Sequence, residues 1–317
     1  MKIVFLDRST IGPSVNISRP SFDHEWVEYD RSTQFEVAEK LMGAQIAITN
    51  KVPLRRAQLE RLPDLKMIAV AATGYDCIDM DYCRERGIVV SNVRGYATTT
   101  VPEHVIALLF ALRRSIAAYR HDVINGEWQR AQQFCFFNHP IRDLSGSTFG
   151  VIGRGALGQA VGRLAKALGM QVIYAEHKGA TQVREGYTAF DEVLATADAI
   201  TLHCPLSDAT RNLISTEEFA KMLRKPIVIN TGRGGLVDEH AAVDALNAGH
   251  ISALGFDVLS AEPITDDHPF LPILDRPNVI VTPHVAWASE EAMQILWDQL
   301  IGHVDNYHSG NPTNQIA

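Results

Sequence analysis

Short apolar runs alternate with longer stretches of helical period along almost the whole chain. Apolar runs without polar alternation are typical of parallel strands that are buried on both faces. Between them, apolar residues recur at the spacing of amphipathic helices. The predicted strands are 2–6, 45–49, 66–71, 88–91, 148–152, 171–176, 198–202, 227–230, 252–257 and 278–282. The predicted helices are 34–43, 54–61, 102–118, 156–168, 216–223, 238–248 and 289–306.

This alternation predicts right-handed β-α-β crossovers and therefore an α/β fold. A chain of 317 residues suits two domains, at roughly 100–200 residues for each. Boundary signals occur at 96–102, where small polar residues precede a long helix, and at 282–284, before the last helix. We therefore predict two doubly wound parallel-sheet domains with a cleft between them. One domain is discontinuous, 1–98 with 287–317, and the other is 99–286.

Composition narrows the class of protein. Hydrophobic residues make up 46% and charged residues 21% of the chain, which is ordinary for a globular protein. A formal net charge of −8 argues against a nucleic-acid partner, since phosphates call for a basic surface. The four cysteines are scattered without a C-x-x-C pair, and no apolar stretch is long enough to span a membrane. We expect a cytoplasmic protein with no metal site and no membrane partner.

A glycine-rich turn follows the predicted strand 148–152 and opens a helix. A G-x-G-x-x-G pattern is weak by itself, but strand, turn and helix are the context that a dinucleotide site requires. The pyrophosphate would sit at the helix N-terminus, where free N–H groups favour negative charge. The alternative is an ordinary turn. The predicted cofactor-binding residues of this turn are Gly153, Arg154, Gly155, Ala156, Leu157 and Gly158.

The following strand ends in Glu176, 18 residues beyond Gly158. An acid near this spacing binds the ribose hydroxyls of NAD and repels the 2′-phosphate of NADP. NAD is therefore the predicted cofactor, although His177 and Lys178 follow directly and soften that preference. The alternative is a surface strand end of mixed charge.

Three successive strand ends near the glycine-rich turn carry Arg233, Glu262 and His284. Ligands of doubly wound sheets lie beyond the carboxyl ends of the strands. A guanidinium matches a carboxylate in bidentate fashion, and a histidine exchanges protons near neutral pH. Each residue alone has an ordinary explanation, as a surface ion pair, a loop acid or a structural histidine. Together they predict a dehydrogenase acting on a small 2-hydroxy or 2-keto acid.

The runs 230–239, 256–263 and 282–284 resemble signature segments of the D-isomer-specific 2-hydroxyacid dehydrogenases. Further matches at 72–79, 101–104 and 202–206 extend the resemblance over nearly the whole chain. The sequence departs from the family pattern at Ala72, Pro102 and Glu176, and none of these changes removes a functional group. The resemblance implies a Rossmann dinucleotide-binding domain beside a flavodoxin-like substrate domain.

The resemblance also implies roles for individual residues. His284 is the general acid/base, Glu262 orients it, and Arg233 binds the carboxylate and polarises the C2 carbonyl. In the substrate domain, the backbone amides of Thr73 and Gly74 bind the other side of the carboxylate, and Tyr75 adjoins them. The remaining implied cofactor contacts are Asp257 and Thr231 at the nicotinamide and Cys204 and Pro205 beside the adenosine.

Within the family, the segments 98–105 and 134–144 resemble glycerate dehydrogenases, also called hydroxypyruvate reductases. Reduction of hydroxypyruvate or glyoxylate with NADH is therefore the leading hypothesis. The alternatives are another 2-keto acid reductase of the family and a dinucleotide-sensing scaffold like the family's transcriptional corepressors. The helix from Pro102 and the arm after it match the family's dimer-forming region, so we expect a homodimer. Phe134, Phe136 and Phe137 of this arm cover the cleft, form a subunit contact or pack in the core.

Overall fold

The computed structural model describes residues 1–317, which divide into two compact units. Unit 1 comprises Met1–Ala97 and Ala288–Ala317, and unit 2 comprises Thr98–Trp287. The chain thus leaves unit 1 once, builds unit 2 without interruption, and returns for its last helix. No helix combines the length and apolar character that crossing a membrane requires.

Unit 1 is built on a five-stranded parallel sheet with the order β2-β1-β3-β4-β5. This order is the flavodoxin-like variant of the doubly wound fold. Its strands are β1 (Lys2–Phe5), β2 (Glu25–Glu28), β3 (Ile46–Thr49), β4 (Met67–Val70) and β5 (Val89–Asn92). Its helices are α1 (Val37–Lys40), α2 (Arg56–Leu59), α3 (Met80–Arg86) and α11 (Glu290–His308).

The core of unit 1 explains why these runs become central strands. Every residue of β3 and β4 is buried, as continuous apolar runs predict. The helical stripe of α11 covers the sheet, and the ring of Trp297 lies 5.2 Å from that of Phe5. The stripe residues predicted to serve packing are all buried: Met293, Leu296, Trp297, Leu300, Ile301 and Val304.

Unit 2 is built on a six-stranded parallel sheet with the order β11-β10-β9-β8-β6-β7. Alternate residues of one strand enter different hydrophobic clusters: Ile227 and Ile229 belong to one and Val228 to the other. Both faces are therefore covered, and the predicted α/β fold with two parallel sheets is confirmed. The strands are β6 (Thr148–Ile152), β7 (Gln171–Ala175), β8 (Ala199–Leu202), β9 (Ile227–Asn230), β10 (Ala253–Phe256) and β11 (Val279–Val281).

The helices of unit 2 depart from the prediction at more than one place. The helices Glu127–Ala131 and Phe190–Thr196 were not predicted, and a further difference lies at Ser115. The single helix predicted over 102–118 is two helices, because Ser115 takes the left-handed conformation (φ 51°) and breaks the run. Its hydroxyl donates a 2.7 Å hydrogen bond to the carbonyl of Pro140. The helices are α4 (Thr100–Arg113), α5 (Ile116–Ile124), α6 (Glu127–Ala131), α7 (Ala156–Ala167), α8 (Phe190–Thr196), α9 (Thr216–Ala220) and α10 (Glu239–Ala248).

Candidate functional site

The glycine-rich turn joins β6 to α7 and has the shape that a dinucleotide requires. Gly153 has φ +99°, and a Cβ there would lie 2.6 Å from the backbone nitrogen of Cys204. At Gly158 a Cβ would lie 1.9 Å from the carbonyl oxygen of Gly153, so only glycine lets the helix pack this closely. At Gly155, by contrast, nothing lies within 4 Å of an added Cβ. Open space therefore adjoins the N-terminus of α7, where a pyrophosphate fits.

The segment after β8 lies against this turn, at the point where the strand order reverses between β6 and β8. Cys204 is partly buried, and burial raises the pKa of its thiol. The next residue, Pro205, is exposed, and its carbonyl accepts a 2.7 Å hydrogen bond from the Thr210 hydroxyl. Doubly wound sheets bind their ligands at such a reversal. The residues predicted to flank the adenosine thus sit at a position suited to that task.

Glu176 follows β7 directly and is only 3% exposed. Both carboxylate oxygens are engaged by the Arg184 guanidinium: Nη2 donates to Oε1 at 2.6 Å and Nε donates to Oε2 at 2.7 Å. The backbone N–H of His177 donates to Oε1 at 2.9 Å. The Arg184 guanidinium and, secondarily, this backbone bond lower the pKa of Glu176 to about 2. The acid is where the sequence predicts it, but Arg184 occupies the oxygens that were assigned to the ribose.

Arg233 lies in the turn after β9, and Asn230 shapes that turn. The Asn230 amide donates to the carbonyl of Arg233 at 2.9 Å and accepts from the N–H of Gly232 at 3.1 Å. The half-buried guanidinium donates only to the carbonyl of Gly232, at 2.8 Å, and forms no ion pair in the protein. Its positive charge is therefore available to an anionic ligand.

Thr231 is 8% exposed, and its buried hydroxyl has no hydrogen-bond partner in the protein. Buried polar atoms of native proteins are nearly always paired, so an orphaned hydroxyl indicates a missing partner. This observation fits the cofactor contact predicted for Thr231.

Glu262 and His284 meet although 22 residues separate them. Glu262 lies in the loop after β10 and His284 in the loop after β11, and His284 Nδ1 is 2.6 Å from Glu262 Oε2. The other carboxylate oxygen accepts the backbone N–H of Leu259 at 2.9 Å. His284 Nε2 has no partner in the protein. The carboxylate thus fixes one ring nitrogen and leaves the other for a ligand.

His284 also has an uncommon backbone, with φ +55°, a region that costs free energy for a residue with a Cβ. Asp257 holds it there. Its 2% exposed carboxylate accepts the N–H groups of Val285 and Ala286, each at 2.9 Å, and its carbonyl accepts that of His284 at 2.8 Å. The hydroxyl of Thr282 is a further donor to this carboxylate. The structure thus gives Asp257 a structural task, and its nicotinamide contact stays a prediction.

Another buried carboxylate, Glu239, was not predicted from the sequence. Its Oε1 accepts the backbone N–H of Ser260 at 2.7 Å, and its Oε2 accepts the Ser260 hydroxyl. His268 Nε2 lies 3.0 Å from the same Oε2, and both side chains are almost fully buried. Ser260 precedes Glu262 by two residues, so Glu239 anchors the loop that carries Glu262. A glutamate at the start of a helix is the only sequence signal, and it indicates a helix terminus as readily as a loop anchor.

Unit 1 carries the other predicted substrate residues, in the loop after β4. The Thr73 hydroxyl donates to the carbonyl of Val93 at 2.8 Å, and the Asn92 amide donates to the carbonyl of Thr73 at 2.7 Å. Tyr75 is 39% exposed. These bonds tie Thr73 to the end of β5, and Gly74 and Tyr75 follow it in the same loop. The three residues belong to unit 1, whereas Arg233, Glu262 and His284 belong to unit 2.

Comparison with known proteins agrees with the dehydrogenase interpretation. The chain is 48% identical over 316 residues to the glycerate dehydrogenase of Methylorubrum extorquens, with 99% of this chain and 98% of the relative covered. It is 36% identical to the hydroxypyruvate reductase of Blautia hydrogenotrophica, with 100% and 99% covered. The solved structure of an NADPH-dependent glyoxylate/hydroxypyruvate reductase from Sinorhizobium meliloti matches with a TM-score of 0.83 and 27% identity, over 100% of this chain and 97% of that one.

A family model described as D-isomer specific 2-hydroxyacid dehydrogenase, NAD binding domain, matches residues 106–286. The matched range holds the glycine-rich turn and the residues Arg233, Glu262 and His284, and the full-length relatives extend the match through unit 1. The chain belongs to the D-isomer specific 2-hydroxyacid dehydrogenases.

Proposed function

We propose that this protein reduces hydroxypyruvate to D-glycerate with NADH, reversibly, and that it also reduces glyoxylate. The observation that carries the proposal is the His284–Glu262 pair, with Nδ1 and Oε2 2.6 Å apart and Nε2 unpartnered. The substrate rests on the relatives named glycerate dehydrogenase and hydroxypyruvate reductase, at 48% and 36% identity over nearly full length.

In the proposed reduction, His284 donates the proton from Nε2 to the carbonyl oxygen of the substrate, which becomes the hydroxyl. NAD supplies the redox chemistry when bound, as a hydride exchanged with the substrate's C2. Glu262 accepts the Nδ1–H bond, which fixes the tautomer and stabilises the positive charge of protonated His284. Arg233 binds the substrate carboxylate and polarises the carbonyl. Its guanidinium is available for this because it forms no ion pair with an acid of the protein. In the oxidation of D-glycerate, His284 takes the hydroxyl proton back.

The remaining predicted contacts are part of the same proposal. In unit 2, Gly153, Gly155 and the N-terminus of α7 hold the pyrophosphate, and the orphaned hydroxyl of Thr231 meets the cofactor. In unit 1, the segment Thr73-Gly74-Tyr75 recognises the substrate.

The test is a substrate panel with purified protein, following the oxidation of NADH with hydroxypyruvate, glyoxylate, pyruvate and longer 2-keto acids. We expect hydroxypyruvate to give the highest kcat/KM, by about tenfold or more over pyruvate, because a site that binds the substrate hydroxyl rejects an analogue without it. Chiral chromatography should identify the product as D-glycerate. Oxidation with none of these acids contradicts the enzyme proposal, and a clear preference for pyruvate favours a different 2-keto acid reductase.

We also propose that the protein is a cytoplasmic homodimer. All four cysteines are free thiols, as in a reducing compartment. In unit 2, the arm after α6 displays Phe134 and Phe137 at 89% and 80% exposure, although the core was one predicted place for them. Phe136 instead packs near Tyr119, with ring centres 5.6 Å apart. Large apolar side chains exposed together mark an interaction surface.

A further inference from the structure

The ion pair between Arg184 and Glu176, at the end of β7, bears on which nicotinamide cofactor the nucleotide site binds. We propose that this site binds the 2′-phosphate of NADP(H) as well as the free ribose of NAD(H), with Arg184 neutralising Glu176 and receiving the phosphate. The proposal rests on the dinucleotide site of unit 2 and does not depend on which keto acid is reduced.

The first step concerns the charge of Glu176. A free carboxylate at this position repels a 2′-phosphate, which is why it predicts NAD alone. Here the carboxylate is 3% exposed, and both oxygens accept hydrogen bonds from Arg184 at 2.6 and 2.7 Å. The backbone N–H of Arg184 adds a third bond, to Oε2, at 3.1 Å. A bidentate guanidinium–carboxylate pair has no net charge, so the repulsion is largely cancelled.

The second step concerns the donors that Arg184 keeps. Nε and Nη2 serve Glu176, while Nη1 has no hydrogen-bond partner in the protein. The side chain is 54% exposed, and its guanidinium carbon lies 4.2 Å from the ring centre of Tyr187. Stacking and the ion pair together hold the guanidinium in one place. It therefore offers preorganised N–H groups to an anion without having to release Glu176.

The third step is a second cation beside the first. The guanidinium carbon of Arg154, in the glycine-rich turn, lies 5.1 Å from the ring centre of the same Tyr187. Arg154 donates to the carbonyl of Gly186 at 3.1 Å and forms no ion pair. The neighbouring acid Glu185 makes no ion pair with either arginine, and Lys178 is paired with Glu218 at 2.8 Å. The charges of the named side chains sum to zero, but Arg154 and Arg184 are the cations that keep N–H groups for an anion.

The competing arrangement is an exchange in which Arg184 swings away and Glu176 binds the ribose hydroxyls. It would leave the site specific for NAD. The two arrangements predict opposite effects when Arg184 is removed, so binding measurements on the free protein decide between them.

The experiment is isothermal titration calorimetry with NAD⁺ and NADP⁺, without substrate, on the wild type and on Arg184→Gln. We expect the wild type to bind NADP⁺ with a Kd within about tenfold of that for NAD⁺. In Arg184→Gln, the unpaired Glu176 should weaken NADP⁺ binding by about 10- to 100-fold, as for the loss of a charged hydrogen bond. NAD⁺ binding should change by less than about threefold, which also shows that the variant is folded.

Two further variants separate the specific effect from a general one. Glu176→Gln combined with Arg184→Gln should recover part of the NADP⁺ affinity, because the repelling carboxylate is gone. Arg163→Gln removes an exposed positive charge of the same unit that makes no ion pair, and it should leave both affinities unchanged. A wild type that binds NADP⁺ over about 1,000-fold more weakly than NAD⁺, or an Arg184→Gln variant with an unchanged ratio, overturns the proposal. Failure of hydroxypyruvate reduction does not bear on these affinities.

Discussion

His284 shows how the chain fixes one side chain of the candidate site from two directions. Glu262 holds its ring by a 2.6 Å contact, and Asp257 holds its left-handed backbone through the N–H groups of the following residues. Strain of this kind persists only where the surroundings enforce it. Both acids therefore act on the same histidine, one on its charge and one on its position.

Replacement of Glu262 by glutamine should separate charge from geometry. Glutamine retains a group of similar size, but it cannot supply negative charge to a protonated His284. We expect kcat/KM for hydroxypyruvate to fall by about 10- to 100-fold. The Kd for NADH should change little, because the contacts of Glu262 with His284 and Leu259 lie outside the glycine-rich turn.

Steady-state kinetics and a fluorescence titration with NADH measure these two effects. Glu217→Gln, which changes an exposed acid of α9, is the matched control and should behave as the wild type. An unchanged kcat/KM in Glu262→Gln would show that the carboxylate charge plays no part in proton transfer.

His203 should make stability depend on pH. Burial lowers the pKa of this ring from 6.5 to about 4, and its Nδ1 has no partner in the protein. Between these values the unfolded chain binds a proton that the native protein does not, so stability falls as pH drops from 6.5 towards 4. At pH 5 the loss due to this one ring is about 2 kcal/mol.

Urea unfolding at pH 7.5 and pH 5, for the wild type and His203→Gln, tests this expectation. The variant should lose about 2 kcal/mol less than the wild type between the two pH values. Its stability at pH 7.5 does not matter, because only the difference between the pH values is compared. Equal losses in both proteins would show that His203 titrates normally in the native state.

At the level of elements, two adjacent acids at the start of α10 have different partners: one caps the helix and the other binds a loop of the candidate site. Asp238 caps the helix by accepting the N–H of Ala241 at 3.1 Å. The next residue, Glu239, instead reaches Ser260 in the loop that carries Glu262. Adjacent acids thus serve two different elements, and their substitution should have two different results.

Glu239→Ala leaves the N–H and hydroxyl of Ser260 without their carboxylate acceptor and removes the acid beside the buried His268. We expect the free energy of unfolding to fall by about 2 kcal/mol and kcat to fall about tenfold, because the loop holding Glu262 loses its anchor. Asp238→Ala is the control: it should cost about 1 kcal/mol of stability and leave kcat unchanged. Thermal unfolding and steady-state kinetics provide both readouts. A normal kcat in a destabilised Glu239→Ala protein would limit Glu239 to a purely structural role.

Helices and strands were predicted correctly where a local sequence pattern determines the structure. They were missed where a contact between distant residues determines it. The buried runs that became β3, β4 and β9 were predicted because they are runs of apolar residues, with a polar residue only at the end of β3 and of β9. Strand β2 was missed because its residues are half-buried or exposed on a sheet edge, so no apolar run marks it. The break between α4 and α5 depends on the bond from Ser115 to Pro140, which no local pattern shows.

The same contrast between local patterns and distant contacts holds for the residues of the candidate site. Arg233, Glu262 and His284 were predicted because they follow successive strands of one sheet, and the structure brings Glu262 and His284 together. Arg184 was missed because it lies in an irregular loop with no period, and only its contact with Glu176 gives it a role.

At the scale of the whole molecule, the exposed arm of unit 2 predicts the assembly state. The arm is tied to α5, where the Tyr119 hydroxyl donates to the carbonyl of His139 at 2.8 Å and His139 Nε2 lies 3.0 Å from Asp122 Oδ2. Its backbone is therefore held in place while Phe134 and Phe137 stay exposed. A preformed apolar surface of this kind fits a second copy related by twofold symmetry.

Phe134→Ser combined with Phe137→Ser should convert a dimer of about 70 kDa into a monomer of 35.0 kDa. Light scattering after size-exclusion chromatography measures the change. Phe35→Ser, at an 83% exposed position of unit 1, is the control and should remain a dimer. A wild-type protein that runs as a monomer contradicts the proposed assembly.

The return of the chain to unit 1 has a consequence for biosynthesis. Unit 2 is contiguous, so all of its strands have been synthesised before α11 is made. Unit 1 is completed later, because α11 covers its sheet and residues 315–316 pair with β5. There the N–H of Ile316 donates to the carbonyl of Val90 at 2.9 Å. The order in which the two units are fully synthesised is thus the reverse of the order in which they begin. All residues of the nucleotide-binding unit have been added to the chain while the unit that started first still lacks the helix that covers its sheet.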